Sequence, residues 1–252
     1  MNTRDVSLRV ENINIEGRIY LPDRGKRAPY PTVCVCHGIP SGNPPDPNDG
    51  GYPELAERVC SEGFAVFIFN FRGTGNSGGN IDMLGWTEDL KAAINYLHGL
   101  PEVDVSRLSL LGFSGGAAVS VYVASQDRRI SAVIACACPA EFNFSDPLPL
   151  IERFRSIGTI RDSDFPSSAE EWNEGFKLIS PVNMIDGIAP RPLLLVHGNK
   201  DDVVDISQAY RLHARAEESR QLIIVDGADH KLRKNDRAMS IVIDWLKPWR
   251  SY

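Results

Sequence analysis

The segment RLSLLGFSGGAAVSVYVAS contains a serine whose neighbours could make it a nucleophile. Gly112, Ser114 and Gly116 form a G-x-S-x-G pattern between an apolar run and an Ala/Val-rich run. Composition alone would produce this pattern in about one such chain in ten, so the flanking runs carry the interpretation. They predict a tight strand-to-helix turn that exposes the Ser114 hydroxyl and leaves the N–H of Gly115 to stabilise a developing oxyanion.

A serine hydroxyl is a poor nucleophile at neutral pH, so it needs a histidine to take its proton and a carboxylate to orient that histidine. His98 and His213 fall in segments with helical patterns, and His197 ends an apolar run. His37 follows another apolar run and has no orienting acid suggested by a motif. His230 lies in VDGADHK, a loop after the last apolar run.

The segment HGNKDDVVD, residues 197–205, contains a histidine and three aspartates and could be taken for a metal site. One histidine followed by three aspartates fits no zinc-ligand spacing. A calcium loop would have acids at alternate positions and a glycine at position six, and DDVVDI has neither. We therefore expect no metal and no cofactor, with one of these carboxylates serving the nucleophile.

Strand-length segments surround these residues. Two alternate between apolar and polar residues, VSLRV and INIEGRIYL; the others are nearly continuous apolar runs, TVCVC, FAVFIFN, RLSLLGF, ISAVIACA, PLLLVHG and QLIIVDG. Apolar residues recur at helical spacing over residues 86–97, and again at Ile241, Trp245 and Trp249. The alternation predicts an α/β fold with a mostly parallel eight-stranded sheet and helices on both faces.

Two segments are longer than ordinary connections. Residues 39–51, IPSGNPPDPNDGG, predict a functional loop. Residues 139–190 predict a small cap insertion in a single domain of residues 1–252. The cap contains aromatic residues that could line an apolar substrate pocket or could simply pack the cap onto the domain: Phe142, Phe144, Phe154, Phe165, Trp172 and Phe176.

The motifs HG, FRGTGNSGG, LGFSGG and LLLVHGNKDDVV resemble those of the α/β-hydrolase superfamily, over nearly the whole chain. More narrowly, they are similar to bacterial esterases of the dienelactone-hydrolase and cinnamoyl-esterase kind and to the catalytic domain of prolyl-oligopeptidase-type peptidases. The resemblance implies a catalytic triad of Ser114, Asp201 and His230, in the chain order of this fold. It also implies that Ile39 supplies the second oxyanion N–H besides Gly115.

The same resemblance accounts for two misleading features. It gives His37 a role in ordering its loop. The segment GTGNSG, residues 73–78, matches the dinucleotide fingerprint G-x-G-x-x-G, but no helix follows at once and no acidic residue ends a second strand about 20 residues on. We therefore predict a structural turn there.

The predicted function is hydrolysis of a carboxylic ester or related acyl bond through an acyl-enzyme. One alternative is an aminopeptidase or oligopeptidase, suggested by SPVNMIDGIAPRPLLLVHGNKDD. Another is a non-catalytic binding protein on the same fold. The sequence does not indicate the natural substrate or the oligomeric state.

The chain has 252 residues and a formal net charge of -6, with no run of five or six like charges. This charge argues against nucleic acid or an anionic membrane as partner and favours a small-molecule substrate. The first twenty residues show no apolar signal-peptide core. Together with an odd number of cysteines in apolar surroundings, this predicts a cytoplasmic protein.

Overall fold

The computed structural model describes residues 1–23, 28–44 and 46–250, without the side chains of residues 249 and 250. Its single sheet has eight strands in the order β1-β2-β4-β3-β5-β6-β7-β8, and all pairs from β4 to β8 are parallel. This confirms the predicted sheet. The strands are β1 (Asn2–Val10), β2 (Ile13–Leu21), β3 (Tyr30–Cys36), β4 (Ala65–Phe69), β5 (Val103–Phe113), β6 (Ala132–Cys136), β7 (Leu193–Gly198) and β8 (Arg220–Val225).

Helices cover both faces of the sheet and account for the continuous apolar character of its central strands. One core cluster lies on the side of α2 and α3, and a second lies on the side of α1 and α7. The α-helices are α1 (Gly51–Ser61), α2 (Met83–His98), α3 (Gly115–Gln126), α4 (Leu148–Ser156), α5 (Ala169–Leu178), α6 (Ile206–Arg215) and α7 (Asp236–Leu246). None of the helices in the described residues combines the length and the apolar character needed to traverse a bilayer.

The segment predicted as a cap lies between β6 and β7. It contains α4, α5 and 3-10 helices at Pro181–Asn183 and Ile185–Ile188. The indole N–H of Trp172 donates to the carbonyl of Ile81 at 2.9 Å and fastens α5 to the segment that precedes α2. The boundaries of a cap insertion, and its status within a single domain, stay a prediction.

The apolar stripe predicted for the last helix is wrong by one position. Ala238, Met239, Val242 and Leu246 are fully buried on α7, whereas Ile241 and Trp245 are only partly buried and pack against the core. The indole N–H of Trp245 donates to Gln221. The side chain of Trp249 lies outside the described residues.

A buried ion pair fixes the turn after β4. Asp89 on α2 is fully buried and binds the guanidinium of Arg72 at 2.8 and 3.1 Å, and it also accepts the backbone N–H of Arg72 at 2.8 Å. The indole N–H of Trp86 donates to the carbonyl of Arg72 at 3.0 Å. Because charge and hydrogen-bonding capacity are satisfied together, removing one partner leaves an uncompensated charge in the interior.

We expect Asp89→Ala to lower the free energy of unfolding by about 3–5 kcal/mol, because Arg72 would stay buried with only the exposed Glu11 carboxylate, 3.4 Å away, as counter-charge. Glu88→Ala on the same helix is the matched control. Glu88 is 49% exposed and pairs with Lys91 at the surface, so its loss should cost less than about 1 kcal/mol. Urea denaturation measures both values, and equal losses would contradict this account of the turn.

Candidate active site

Ser114 sits at the turn between β5 and α3 in a strained backbone conformation. Its φ is 50° and its ψ is -121°, a region that residues with a β-carbon rarely adopt. The turn is held because the Ser114 N–H donates to the carbonyl of Cys136 at 2.8 Å while the Ser114 carbonyl accepts from Ala117 and Ala118. The hydroxyl therefore projects from the carboxyl edge of the sheet instead of packing into it.

The glycines of the motif are required by close approach. A β-carbon at Gly116 would overlap the carbonyl oxygens of His37 and Cys36, and one at Gly112 would overlap the α-carbon of Ala117. Crowding by the neighbouring strand and helix therefore accounts for the glycines of the G-x-S-x-G pattern. The same approach brings the loop after β3 directly against the Ser114 turn.

The structure brings together the three residues predicted to form the triad. Ser114 Oγ lies 3.0 Å from His230 Nε2, and His230 Nδ1 lies 2.8 Å from Asp201 Oδ2. Asp201 follows β7 and His230 follows β8, and the two loops meet closely, since a β-carbon at Gly198 would overlap the carbonyl of Ala228. Serine, imidazole and carboxylate thus form one hydrogen-bonded chain.

Asp201 is held as a carboxylate. Burial acts to raise the pKa of Asp201, but the hydrogen bonds from His230 and from the N–H groups of Val204 and Val203 outweigh it, so the pKa lies below its usual value. His197 Nε2 lies 3.3 Å from Asp201 Oδ2 and 2.8 Å from the carbonyl of Val204. The buried carboxylate of Asp201 is thus surrounded by hydrogen-bond donors.

The three aspartates of residues 197–205 lie in different environments. Asp202 is exposed, and Asp205 caps α6 by accepting the N–H of Ser207 at 2.9 Å. Only Asp201 faces His230. Within the described ranges, no group of three or more His, Cys, Asp or Glu side chains is placed to hold a metal ion.

His37 is neutral and orders the loop after β3. Its Nε2 accepts the N–H of Phe71 at 3.1 Å, so the ring proton lies on Nδ1, which is 2.7 Å from the carbonyl of Gly38. Burial lowers the pKa of His37 to about 4. The side chain interacts with the turn after β4 and contributes no base to Ser114.

The hydrogen bond from His37 also orients the predicted oxyanion donor. In a trans peptide the C=O and N–H groups point in opposite directions, so fixing the Gly38 carbonyl aims the Ile39 N–H away from His37. Within the described part of the chain, the N–H groups of Ile39 and Gly115 have no protein acceptor. A β-carbon at Gly115 would lie 3.7 Å from the Ile39 nitrogen, so the two donors are neighbours.

A pocket of about 580 Å³ opens onto Ser114 and His230. The segments that line it are the loop of residues 38–52, the turn after β4 and residues 230–234. Of the loop that was predicted to be functional, Pro45 lies outside the described residues. The lining combines apolar side chains with charged ones: Ile39, Pro40, Phe113, Leu232, Asp46, Asp49, Arg233 and Lys234.

The six aromatic residues of the cap segment do not line this pocket. Five of them contact one another, with ring centroids 4.8 Å apart for Trp172 and Phe176 and 5.9 Å apart for Phe154 and Trp172. Phe154 and Phe176 are fully buried. The sequence left two roles open for the cap aromatics, lining a substrate pocket and packing the cap onto the domain. In the structure these five residues pack the cap segment.

Residues 73–78 form a closed turn. The N–H of Gly73 donates to the carbonyl of Gly78 at 2.9 Å, and α2 begins only at Met83. Thr74 Oγ1 lies 3.1 Å from His37 Nε2. The turn thus supports the loop after β3, and a dinucleotide-binding arrangement of strand, short loop and helix is not what these residues form.

Sequence reasoning missed two residues that border the site. Tyr52 accepts the N–H of Gly38 at 3.3 Å. Arg233 binds Asp49 at 2.5 and 2.7 Å, and its guanidinium lies 5.1 Å from the Tyr52 ring centroid. Neither residue belongs to a motif. The sequence offered one indication, that Arg233 lies in the same loop as His230.

Solved structures share the fold over essentially the whole chain. The α/β hydrolase GrgF from Penicillium sp. sh18 has a TM-score of 0.76 at 18% identity, with 100% of both chains covered. Est1E from Butyrivibrio proteoclasticus, with ferulic acid bound, has a TM-score of 0.71 at 17% identity, with 97% of both chains covered. At these identities the likeness establishes the α/β-hydrolase fold alone.

Sequence comparison gives the family. The uncharacterized protein YfhR of Escherichia coli (strain K12) is 32% identical over 185 residues, which are 73% of this chain and 59% of YfhR. The match thus spans about six-tenths of that relative's length. The family model described as BD-FAE matches residues 18–216, from β2 through α6. The chain therefore belongs to the BD-FAE family and has the α/β-hydrolase fold.

Proposed function

We propose that the protein is a serine hydrolase that cleaves carboxylic esters or related acyl bonds through a covalent acyl-enzyme. The observation that carries the proposal is the hydrogen-bonded chain from Ser114 Oγ through His230 to Asp201, with links of 3.0 and 2.8 Å. A buried carboxylate, an imidazole and an exposed hydroxyl on a strained turn are the groups that activate a serine nucleophile.

In the proposed mechanism, His230 Nε2 takes the proton of Ser114 as its oxygen forms a bond to the ester carbonyl carbon. The N–H groups of Ile39 and Gly115 stabilise the negative carbonyl oxygen. His230 then gives the proton to the departing alcohol as the C–O bond breaks, leaving the acyl group on Ser114. His230 Nε2 then takes a proton from a water molecule as its oxygen bonds to the acyl carbon. The bond from that carbon to Ser114 Oγ breaks, the acid leaves, and Ser114 recovers a proton from His230. Asp201 holds the imidazole tautomer and stabilises the imidazolium throughout.

The pocket suggests the size of the substrate. A volume of about 580 Å³ with Ile39, Pro40, Phe113 and Leu232 in its lining suits a medium-sized acyl or alcohol group. Ferulic acid is bound in the similar structure Est1E, so aryl esters belong among the substrates to test. We extend the proposal to a small-molecule partner and to the exclusion of nucleic acid, on the basis of the net charge of -6.

Four buried cysteines, Cys34, Cys36, Cys136 and Cys138, support a cytoplasmic location as part of the same proposal. None of these four forms a disulfide bond. Burial raises the pKa values of the Cys136 and Cys138 thiols far above their usual range. Unpaired structural cysteines fit a reducing compartment.

We expect Ser114→Ala to abolish hydrolysis of 4-nitrophenyl butyrate, by about 10⁴-fold or more, because the attacking oxygen is removed. A fluorophosphonate probe should label the wild type once and the variant not at all. Ser120→Ala serves as the control, because Ser120 Oγ is fully buried in α3 and donates to the carbonyl of Gly116. Labelling that persists in Ser114→Ala, or an unlabelled and inactive wild type, would contradict the proposal.

Asp201→Asn and Asp202→Asn form a matched pair on one turn. The amide at position 201 cannot hold the imidazole tautomer that Ser114 needs, so kcat should fall by about 10³- to 10⁴-fold. Asp202 is exposed, and its variant should keep activity within about twofold. The measurement is kcat on a medium-chain ester at neutral pH; a larger loss at position 202 would overturn the assignment of the acid.

A further inference from the structure

Tyr52 on α1 brings a phenol hydroxyl to the loop that carries Ile39. The N–H of Gly38 donates to Tyr52 Oη at 3.3 Å. A β-carbon at Gly38 would lie 3.2 Å from the Cβ atom of Ser114. The hydroxyl and the nucleophile therefore flank the same glycine, and Tyr52 lines the pocket that opens onto Ser114.

The proton of this hydroxyl is available. A phenol can accept and donate at once, and the Tyr52 oxygen already accepts the Gly38 N–H. Within residues 1–23, 28–44 and 46–250, its own proton has no acceptor. Burial raises the pKa of Tyr52 to about 12, so the group stays protonated at neutral pH and can donate to a molecule bound in the pocket.

Two neighbours hold the Tyr52 ring in place. Its centroid lies 5.7 Å from that of Phe113 in an edge-on contact. The guanidinium of Arg233 lies 5.1 Å from the ring centroid and is itself fixed by two hydrogen bonds to Asp49. A fixed donor stabilises a developing charge without having to reorganise during the reaction.

We propose that Tyr52 is a further catalytic residue, whose hydroxyl donates a hydrogen bond to the ester oxygen as it becomes the oxyanion, beside the N–H groups of Ile39 and Gly115. The inference rests on the proposed ester hydrolysis at Ser114. As Ser114 attacks, the carbonyl π electrons move onto that oxygen, and the Tyr52 O–H bond stays intact. The hydrogen bond strengthens as charge develops, so it raises kcat more than it lowers KM.

The test compares Tyr52→Phe with Tyr210→Phe. The first variant removes the hydroxyl and keeps the ring; the second makes the same change on α6, where Tyr210 is 53% exposed. Each is assayed with 4-nitrophenyl butyrate and with the matching thionoester, in which sulfur replaces the carbonyl oxygen. Because sulfur accepts hydrogen bonds weakly, the thionoester reports catalysis with little help from oxyanion donors.

We expect Tyr52→Phe to lower kcat on the oxygen ester by about 10- to 100-fold, since one donor of the set is lost. Its kcat on the thionoester should change by less than about threefold, with KM for both esters within about twofold. Tyr210→Phe should match the wild type on both substrates. Equal fractional losses on the two esters would mean that Tyr52 only braces Gly38, and unchanged activity on the oxygen ester would also overturn the inference.

A second variant covers the case in which Tyr52→Phe does not fold, as judged by thermal unfolding. Replacing Tyr52 with 2,3-difluorotyrosine keeps the hydroxyl and the ring but lowers the pKa of the phenol. Its kcat on the oxygen ester should fall with rising pH at a lower pH than in the wild type, and an unchanged pH profile would contradict the inference. Fluorophosphonate labelling of wild-type Ser114 tests the proposed hydrolase separately from the role of Tyr52. If Ser114 is labelled but the Tyr52 variants have wild-type kinetics, the role of Tyr52 is wrong and the proposed hydrolase activity is not affected.

Discussion

The positive φ of Ser114 is the constraint on which the site depends. A serine keeps this strained conformation only where the packing of strand and helix leaves no room for another arrangement. The packing is tight here, because a β-carbon at Gly116 would overlap the loop after β3. The same tightness brings Ile39 beside Gly115. One strained turn thus exposes the hydroxyl and assembles two backbone donors around it.

Buried charged and polar side chains surround the Ser114 turn. Asp201 is withdrawn from solvent and receives hydrogen bonds from His230, Val203 and Val204, so its negative charge is directed at the imidazole. His37 is also buried, but burial lowers its pKa and keeps it neutral, and its hydrogen bonds orient a peptide. Two histidines in one site therefore have different tasks because one faces a carboxylate and the other faces backbone groups.

The strands, and the meeting of Ser114, Asp201 and His230, could be predicted because their signals are local. Apolar runs predict strands covered on both faces, and Ser114, Asp201 and His230 each follow such a run or lie in the loop after it. Contacts between residues that are far apart in the sequence gave no such signal. The cap aromatics pack on one another, and Tyr52 meets Arg233 only because α1 and the His230 loop converge. On α7 the predicted stripe is wrong because Met239, Val242 and Leu246 take the fully buried positions.

The central claim is that Ser114 carries the acyl group during turnover. The direct measurement is peptide-mapping mass spectrometry of protein that has been acid-quenched while it turns over a slowly deacylating ester such as 4-nitrophenyl pivalate. The account predicts one acyl group, on the peptide that contains Ser114, and its absence from the His230→Ala variant quenched at the same time. Turnover with the acyl group on another residue would contradict it.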